Sequence, residues 1–410
     1  MGAAYVLDLC DRVASFTDVP GTITRTFLSP ATHAVHALLR AEMESLGMTV
    51  RTDSVGNLRG IYPALKPDAP VMLIGSHIDT VPDAGRYDGI LGVAIAIALV
   101  RSLGGRRLSY AIEVIAFSEE EGVRFKMSFI GSRAVIGDLT AADLARTDPD
   151  GISVAKAIRD FGLDPDDLAD ALLTPGTFAF FETHIEQGPV LESLGLPLGI
   201  VSAIIGQSRY DLTFQGHANH AGTTPMNLRS DALSAAAEFI VATEALARTT
   251  PCLVATVGSI RATPGAANVI PGTAVCSLDI RHPVDDIRIA CAQQLLGEAQ
   301  RAAQSRGVSL TVAERDGQAS VPMDAALRHA LKVAAEPYAP HEMPSGAGHD
   351  AMILARKIPC AMLFLRTPGG LSHHPNEAVS AEDVAAALAT SLRFLHQLSY
   401  DRPHSSGAHA

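Results

Sequence analysis

Apolar residues fall along this chain in two patterns, and the change from one to the other comes near Gly206. Before that point, unbroken apolar runs dominate. Val71 to Ile74, Tyr110 to Phe117 and Phe178 to Phe181 have the length and the β-branched or aromatic content of buried strands. The spacing of Val35, Leu38, Leu39, Met43 and Leu46 predicts an amphipathic helix over 31–47, stopped by Gly47. Asp88-Gly89 opens a second, apolar helix from Ile90 to Leu103, closed by Gly104-Gly105. Strand, helix and strand thus follow one another from Val71 to Phe117, a βαβ unit that implies a parallel sheet. Residues 138–176 are polar and rich in aspartate, which predicts a surface excursion with short helical pieces.

After Gly206 the pattern alternates. Tyr210 to Phe214, Ala274 to Ile280 and Val308 to Val312 read as half-buried strands, with helices from about Ser230 to Ala247 and from Ile287 to Arg306. From about Val321 the buried pattern resumes and ends in the apolar run Cys360 to Leu365. The expectation is an α/β protein with a central, mostly parallel sheet in a catalytic domain formed by 1–206 and 321–400. An α+β domain, an antiparallel sheet plus two helices, is inserted at 207–320. The tail from Arg402 to Ala410 is expected to fray.

The buried runs share a chemical feature that their apolar content does not require. One leads into His77-Ile78-Asp79, one into Glu119-Glu120-Glu121, one into Glu182-Thr183-His184, and the last, after a Gly-Gly turn, into Ser372-His373-His374. In open α/β sheets ligands bind beyond the carboxyl ends of the strands, so four such ends imply one shared site. Singly, each has a plainer reading: Asp88-Gly89 as a turn, the glutamates as a solvated run, His77 as a packed core residue. Their convergence is what argues for metal. His77, Asp88, Glu121, His184 and His373 form a mixed nitrogen and oxygen set suited to Zn²⁺, Mn²⁺, Co²⁺ or Ni²⁺. Asp79 lies two residues from His77 and can steady its imidazole, and Glu120 can hold a proton beside Glu121. Three consecutive glutamates leave open whether Glu119 or Glu120 is the base, and His374 competes with His373 as ligand.

Composition narrows the class further. The chain has 410 residues, 47% hydrophobic and 19% charged, enough for two domains with sizeable cores. Its net charge of −12 argues against nucleic acid as a partner. The first residues lack a signal-peptide pattern, and the longest apolar stretch, Ile90 to Val100, is too short to span a bilayer. Five scattered cysteines form neither a disulfide framework nor a zinc-cysteine motif. A soluble, cytoplasmic protein without membrane contact is expected.

At the residues named above the chain resembles the dinuclear metal amidohydrolases of the M20 peptidase clan. It is most similar to the branch that cleaves N-carbamoyl and ureido compounds: N-carbamoyl-L-amino acid hydrolases, β-ureidopropionases and allantoate amidohydrolases. The resembling stretches are GSHIDTV (75–81), YDGILGV (87–93), SEEEGVRF (118–125), THIEQGPVLE (183–192), HANHAGTTPM (217–226), NVIPG (268–272), DIRH (279–282), GAGHDA (346–351) and SHHPNE (372–377). The resemblance implies two divalent metal ions per subunit, one held by His77 and His184, the other by Glu121 and His373, with Asp88 bridging. It implies Glu120 as general base, Asp79 as the orienter of His77, and His220 as the stabiliser of the oxyanion. Gln187, Asn268, Arg281, His349 and His220 become the expected substrate contacts, Arg281 gripping a carboxylate in a bidentate fork. The insert becomes a lid and dimerisation domain, the assembly a homodimer, and the substrate a small anionic ureido acid. The peptidase branches generally carry a carboxylate where this chain has His184. A dinuclear aminopeptidase or dipeptidase, and a non-catalytic binding protein, are the alternatives.

Overall fold

In the computed structural model, which describes residues 2–400, Val71–His77, Ala111–Phe117, Thr177–Ile185 and Cys360–Leu365 are strands of one sheet. The expectation for the tail from Arg402 to Ala410 lies outside the described residues. The chain divides into two compact units, Met1–Ser202 with Met323–Ala410, and Ala203–Pro322.

In the first unit those four strands are neighbours and run parallel. Every residue of Val71–His77, Ala111–Phe117 and Cys360–Leu365 is buried, which is why these segments read as continuous apolar runs without alternation. The flanks are antiparallel. Leu58–Tyr62 pairs with Ala111–Phe117, and Thr49–Thr52 pairs back onto it through a tight turn. Leu198–Ile204 lies against Cys360–Leu365 on the other side. The sheet is therefore parallel only at its centre. The helix Ile90–Leu103 makes the crossover between Val71–His77 and Ala111–Phe117 and packs beside the helices Gly2–Ala14 and Ala381–Tyr400. Almost all of its side chains are buried, so it has no polar face.

Strand order decides where chemistry can occur. From Val71–His77 the chain first adds Ala111–Phe117 on one side and later Thr177–Ile185 on the other. That reversal leaves a crevice beyond the carboxyl ends of Val71–His77 and Thr177–Ile185. His77 ends the first of these strands and His184 is the penultimate residue of the second.

The segment 138–176 corrects the sequence reading. It is more than a surface excursion, because Val154, Ala157, Ile158 and Ala171 join Phe27, Val55, Phe125 and Ile130 in an apolar cluster of their own. Arg59 ties the segment to the sheet. Its fully buried guanidinium pairs with Glu113 at 2.7 Å and donates to the carbonyls of Ala171 and Leu172. The aspartates dominate the composition, while the apolar residues fall at helical spacing in pieces too short to stand out.

The second unit is an antiparallel sheet in the order Ile260–Thr263, Thr273–His282, Gly206–Gln215 and Ser309–Gln318, with Val254–Thr256 also pairing with Thr273–His282. Two helices, Ala232–Thr249 and Asp285–Ser305, pack on each other and on this sheet through Phe214, Phe239, Leu278 and Leu295. Asp231 caps the first of them by accepting from the Ser234 amide. A separate ribbon joins Asn219–His220 to Val269–Ile270. No described helix is long and apolar enough to cross a membrane.

Candidate dinuclear metal centre

The crevice is built around Asp88. This residue ends the loop before the helix Ile90–Leu103, and Gly89, at φ +68°, turns the chain into that helix. A Cβ on Gly89 would lie 2.5 Å from the His77 ring, so the imidazole fits only because residue 89 has no side chain. Asp88 Oδ1 lies 3.7 Å from His77 Nε2 and 3.3 Å from His184 Nε2. Its Oδ2 lies 3.2 Å from His373 Nε2, and that nitrogen is 3.3 Å from Glu121 Oε1. One carboxylate thus turns one oxygen to each of two imidazole groups, the geometry of a bridge between two cations.

The imidazoles are held so that Nε2 faces inward. His77 Nδ1 is 3.0 Å from the carbonyl of Asp79, and His184 Nδ1 is 3.0 Å from that of Ile185. Donation from Nδ1 to these carbonyls leaves the Nε2 lone pair for a metal. His184 Nε2 and Asp88 Oδ1 are buried, face each other and have no hydrogen-bond partner in the protein. A cation between them satisfies both, so the residues present fit divalent metal. Of the two adjacent histidines, His373 points at Asp88, whereas His374 Nδ1 accepts from the Asn376 amide.

Electrostatics point the same way. Asp88, followed by Glu121, pulls His373 up to about 10. Burial opposes charge on His77, yet Asp79 and Asp88 together raise it well above the ordinary range, and Asp88 raises His184 against the same burial. Asp88 is held well below the ordinary range, its burial outweighed by His184, His373 and His77. The pocket attracts positive charge.

Asp79 does more than orient His77. Its carboxylate is 3.4 Å from His77 Nδ1, but its two oxygens also accept the amides of Glu120 and Glu121 at 2.9 and 3.0 Å. It therefore fixes the segment that carries both glutamates. A ligand atom of Glu120 lies within 4.8 Å of those of His77 and Glu121. Burial first, then Glu121, Asp350 and Asp79, pushes Glu120 well above the ordinary carboxylate range against the pull of His77. Glu119 is fully buried and belongs to none of the prospective ligand groups among the described residues.

Several neighbours were not visible in the sequence as site residues. Ser372 Oγ donates to Asp88 Oδ2 at 3.0 Å, and its place before His373 is its only signal. Gln187, expected to meet substrate, donates its side-chain amide to the same oxygen at 3.0 Å from a backbone at φ +58°. Behind His184, Glu182 accepts from Ser76 Oγ at 2.7 Å and from the Ala351 amide. His349, also expected to touch substrate, is 1% exposed, stacks edge-on against His184 and pairs through Nε2 with Ser345 Oγ at 2.8 Å. Burial, reinforced by His184, keeps it neutral, and its observed contacts are those of a residue backing His184.

The remaining expected contacts belong to the second unit. His220 and Asn268 share the short ribbon, His220 opposite Val269 and the Asn268 carbonyl accepting from Ala221. His220 Nδ1 accepts from the Gly222 amide at 3.0 Å, which places the proton of the neutral ring on Nε2. Arg281 has a partner within its own strand. Its Nε and Nη2 bond both oxygens of Asp279 at 2.8 and 3.0 Å. The two residues are two apart in Thr273–His282 and share a face, so the bidentate fork is engaged within the strand.

The chain also matches known proteins along most of its length. A family model described as peptidase family M20/M25/M40 matches residues 73–397. The chain is 39% identical over 383 residues to the N-carbamoyl-L-amino acid amidohydrolase of Geobacillus stearothermophilus, covering 92% of this chain and 94% of that one. It is 38% identical over 425 residues to allantoate deiminase 1 of Glycine max, covering 95% and 88%. Among solved structures, a hydantoinase/carbamoylase family amidase from Burkholderia multivorans superposes with a TM-score of 0.88 at 32% identity, covering 96% and 97%.

Proposed function

The chain belongs to peptidase family M20/M25/M40, and from that premise we propose that it hydrolyses the ureido C–N bond of a small carboxylate substrate, releasing ammonia and carbon dioxide. Allantoate and N-carbamoyl-L-amino acids are the substrates that the similar proteins' names supply. The observation that carries the reading is the Asp88 carboxylate, one oxygen toward His77 and His184, the other toward His373, with the buried Glu120 beside them.

His77, His184 and Asp88 would hold one divalent ion, and Asp88, Glu121 and His373 the other, supplying the Lewis acidity that activates water and polarises a carbonyl. Zn²⁺, Mn²⁺, Co²⁺ and Ni²⁺ suit these donors. Glu120 takes the proton of the attacking water and passes it to the departing nitrogen. Its affinity for protons is raised, first by burial, which suits a group that must take up a proton and return it. Asp79 holds Glu120 and Glu121 in register through their amides. His220, with its proton on Nε2, is assigned as donor to the developing oxyanion, and Gln187, Asn268 and Arg281 as substrate contacts. Asp279 orients Arg281 and must share its guanidinium with a substrate carboxylate. The imidazole of His184, where peptidase branches generally use a carboxylate, favours the ureido reading over a peptidase.

The test is ammonia release by protein loaded in turn with Mn²⁺, Co²⁺, Ni²⁺ and Zn²⁺, offered allantoate, N-carbamoyl-L-amino acids, N-carbamoyl-β-alanine and dipeptides. Turnover of a ureido acid is expected. Release of free amino acid from dipeptides alone would overturn the assignment and move the chain to a peptidase role.

A further inference from the structure

One buried carboxylate beside the centre belongs to none of its ligand groups. Glu377 is 4% exposed and follows His373 by four residues, in the segment beyond the strand Cys360–Leu365. Its Oε1 accepts from the main-chain amides of Tyr87 at 2.8 Å and Asp88 at 3.0 Å. Those amides lie almost three hundred residues away in sequence, in the loop that delivers Asp88 and Gly89 to the helix Ile90–Leu103. The carboxylate also sits flush on that loop. A Cβ at Gly85 would meet Glu377 Cβ at 2.4 Å and Oε1 at 2.5 Å, so the loop approaches this closely only with glycine at 85.

Two segments must meet for the bridge to form, one carrying Asp88 and one carrying His373. Ser372 and Gln187 touch the Asp88 carboxylate itself, so they bond an atom that also faces His373. Glu377 instead grips the main chain at Asp88, and does so from the His373 segment. Hydrogen bonds to two successive amides fix both the position and the orientation of a peptide unit. The direction in which Asp88 Oδ1 and Oδ2 point follows from that peptide unit.

We propose that Glu377 is a positioning residue of the metal centre, locking the Asp88 main chain to the His373 segment so that one carboxylate addresses both ions. The proposal rests on the dinuclear reading above. Loss of a residue that orients a metal ligand typically weakens metal binding by roughly 10–100-fold. A brace that served only the fold would leave affinity unchanged once the protein had folded.

The experiment is titration of chelator-stripped protein with Co²⁺, followed by calorimetry and by the visible Co²⁺ spectrum. Wild-type protein is expected to take up two ions. Glu377→Ala should lose about tenfold or more in affinity for at least one of them. Glu377→Gln, whose amide oxygen can still accept both amides, should stay near wild type. Gly85→Ala leaves Glu377 chemically intact but pushes it off the loop, and should reproduce the loss seen with Glu377→Ala. Wild-type protein that binds no Co²⁺ overturns the dinuclear reading and the positioning role with it. Wild-type uptake of two ions, matched by folded Glu377→Ala or folded Gly85→Ala, overturns the positioning role alone. Should Glu377→Ala fail to fold, Gly85→Ala and the shortened Glu377→Asp decide in the same way, since both keep a carboxylate in the core.

Discussion

Replacing Gly89 by alanine adds a single methyl group at the point where the geometry of the centre is tightest. The new Cβ would stand 2.5 Å from Cε1 and Nδ1 of His77. Carbon atoms in contact prefer roughly 3.5–4.0 Å, so the ring must retreat by about 1 Å. Metal–ligand distances tolerate only about 0.2 Å, so the first ion loses a ligand. Residue 89 also sits at φ +68°, ψ −59°, a γ-turn conformation that strains an alanine by more than the about 1–2 kcal/mol of the left-handed helical region. These two effects can be separated. Gly104 closes the same helix at φ +57° with nothing within 4 Å of its Cβ position. Gly104→Ala, in the left-handed helical region, therefore carries a positive-φ strain without a collision. The assay measures metal content after dialysis, ammonia release and thermal stability for both variants. Both should lose stability, Gly89→Ala the more of the two, while only Gly89→Ala should lose metal and turnover. A Gly89→Ala protein that retains two ions and wild-type turnover would refute the reasoning, because His77 could then move without consequence.

Glu120→Gln should lower turnover by roughly 10²–10⁴-fold with metal content unchanged, and surviving activity would remove Glu120 from the role of base. Metal binding at pH 7 should release protons, because His77, His184 and His373 are all raised in affinity for them, His373 to about 10. Affinity should therefore fall as pH drops and rise with pH towards 10, which calorimetry in buffers of different ionisation enthalpy will read. Binding that is independent of both buffer and pH would contradict the ligand assignment. His184→Asp adds one negative charge, worth about 2 kcal/mol at roughly 7 Å with an effective dielectric near 20. It should raise KM for an anionic ureido acid tenfold or more, and an unchanged KM would show that the charge at this position does not matter.

How much of this was legible in the sequence depended on whether the cause was local. The helix Ile90–Leu103 was readable to its ends because Asp88-Gly89 and Gly104 are local signals of start and stop. The buried strands were readable because a sheet covered on both faces leaves an unbroken apolar run. His77, Asp88, His184 and His373 could be placed together since each lies at or just beyond a strand end or at a helix start. What escaped were relations between distant segments. Nothing near Glu377 in sequence indicates the Tyr87 and Asp88 amides, and nothing near Arg59 indicates the carbonyls of Ala171 and Leu172. The second task of Asp79, holding the amides of Glu120 and Glu121, depends on Val71–His77 and Ala111–Phe117 being parallel neighbours in register, His77 beside Phe117. Arg281 shows the opposite case, a local relation: its partner Asp279 lies two residues away on the same face of one strand, where it can orient the guanidinium.

The proposed ligand set would also explain how a chain of net charge −12 draws in an anion. Two divalent ions bring four positive charges, against which Asp88 and Glu121 set two negative ones, while His77, His184 and His373 bind as neutral imidazoles. Adding an ionised Glu120 leaves these groups with a sum of one positive charge, which the Asp79 carboxylate 3.4 Å from His77 lowers further, in a crevice where charges are poorly screened. An aspartate in place of His184 would subtract one more. The field felt by a substrate carboxylate close to the centre is thus set by one histidine, whereas the surface aspartates and glutamates that dominate the net charge lie mostly in solvent, screened within about 10 Å at ordinary ionic strength. In the proposed mechanism the net charge is conserved as the proton passes from water to Glu120, but the negative charge moves off Glu120 and onto the oxyanion, so a protonated Glu120 no longer repels the charge that the centre must stabilise.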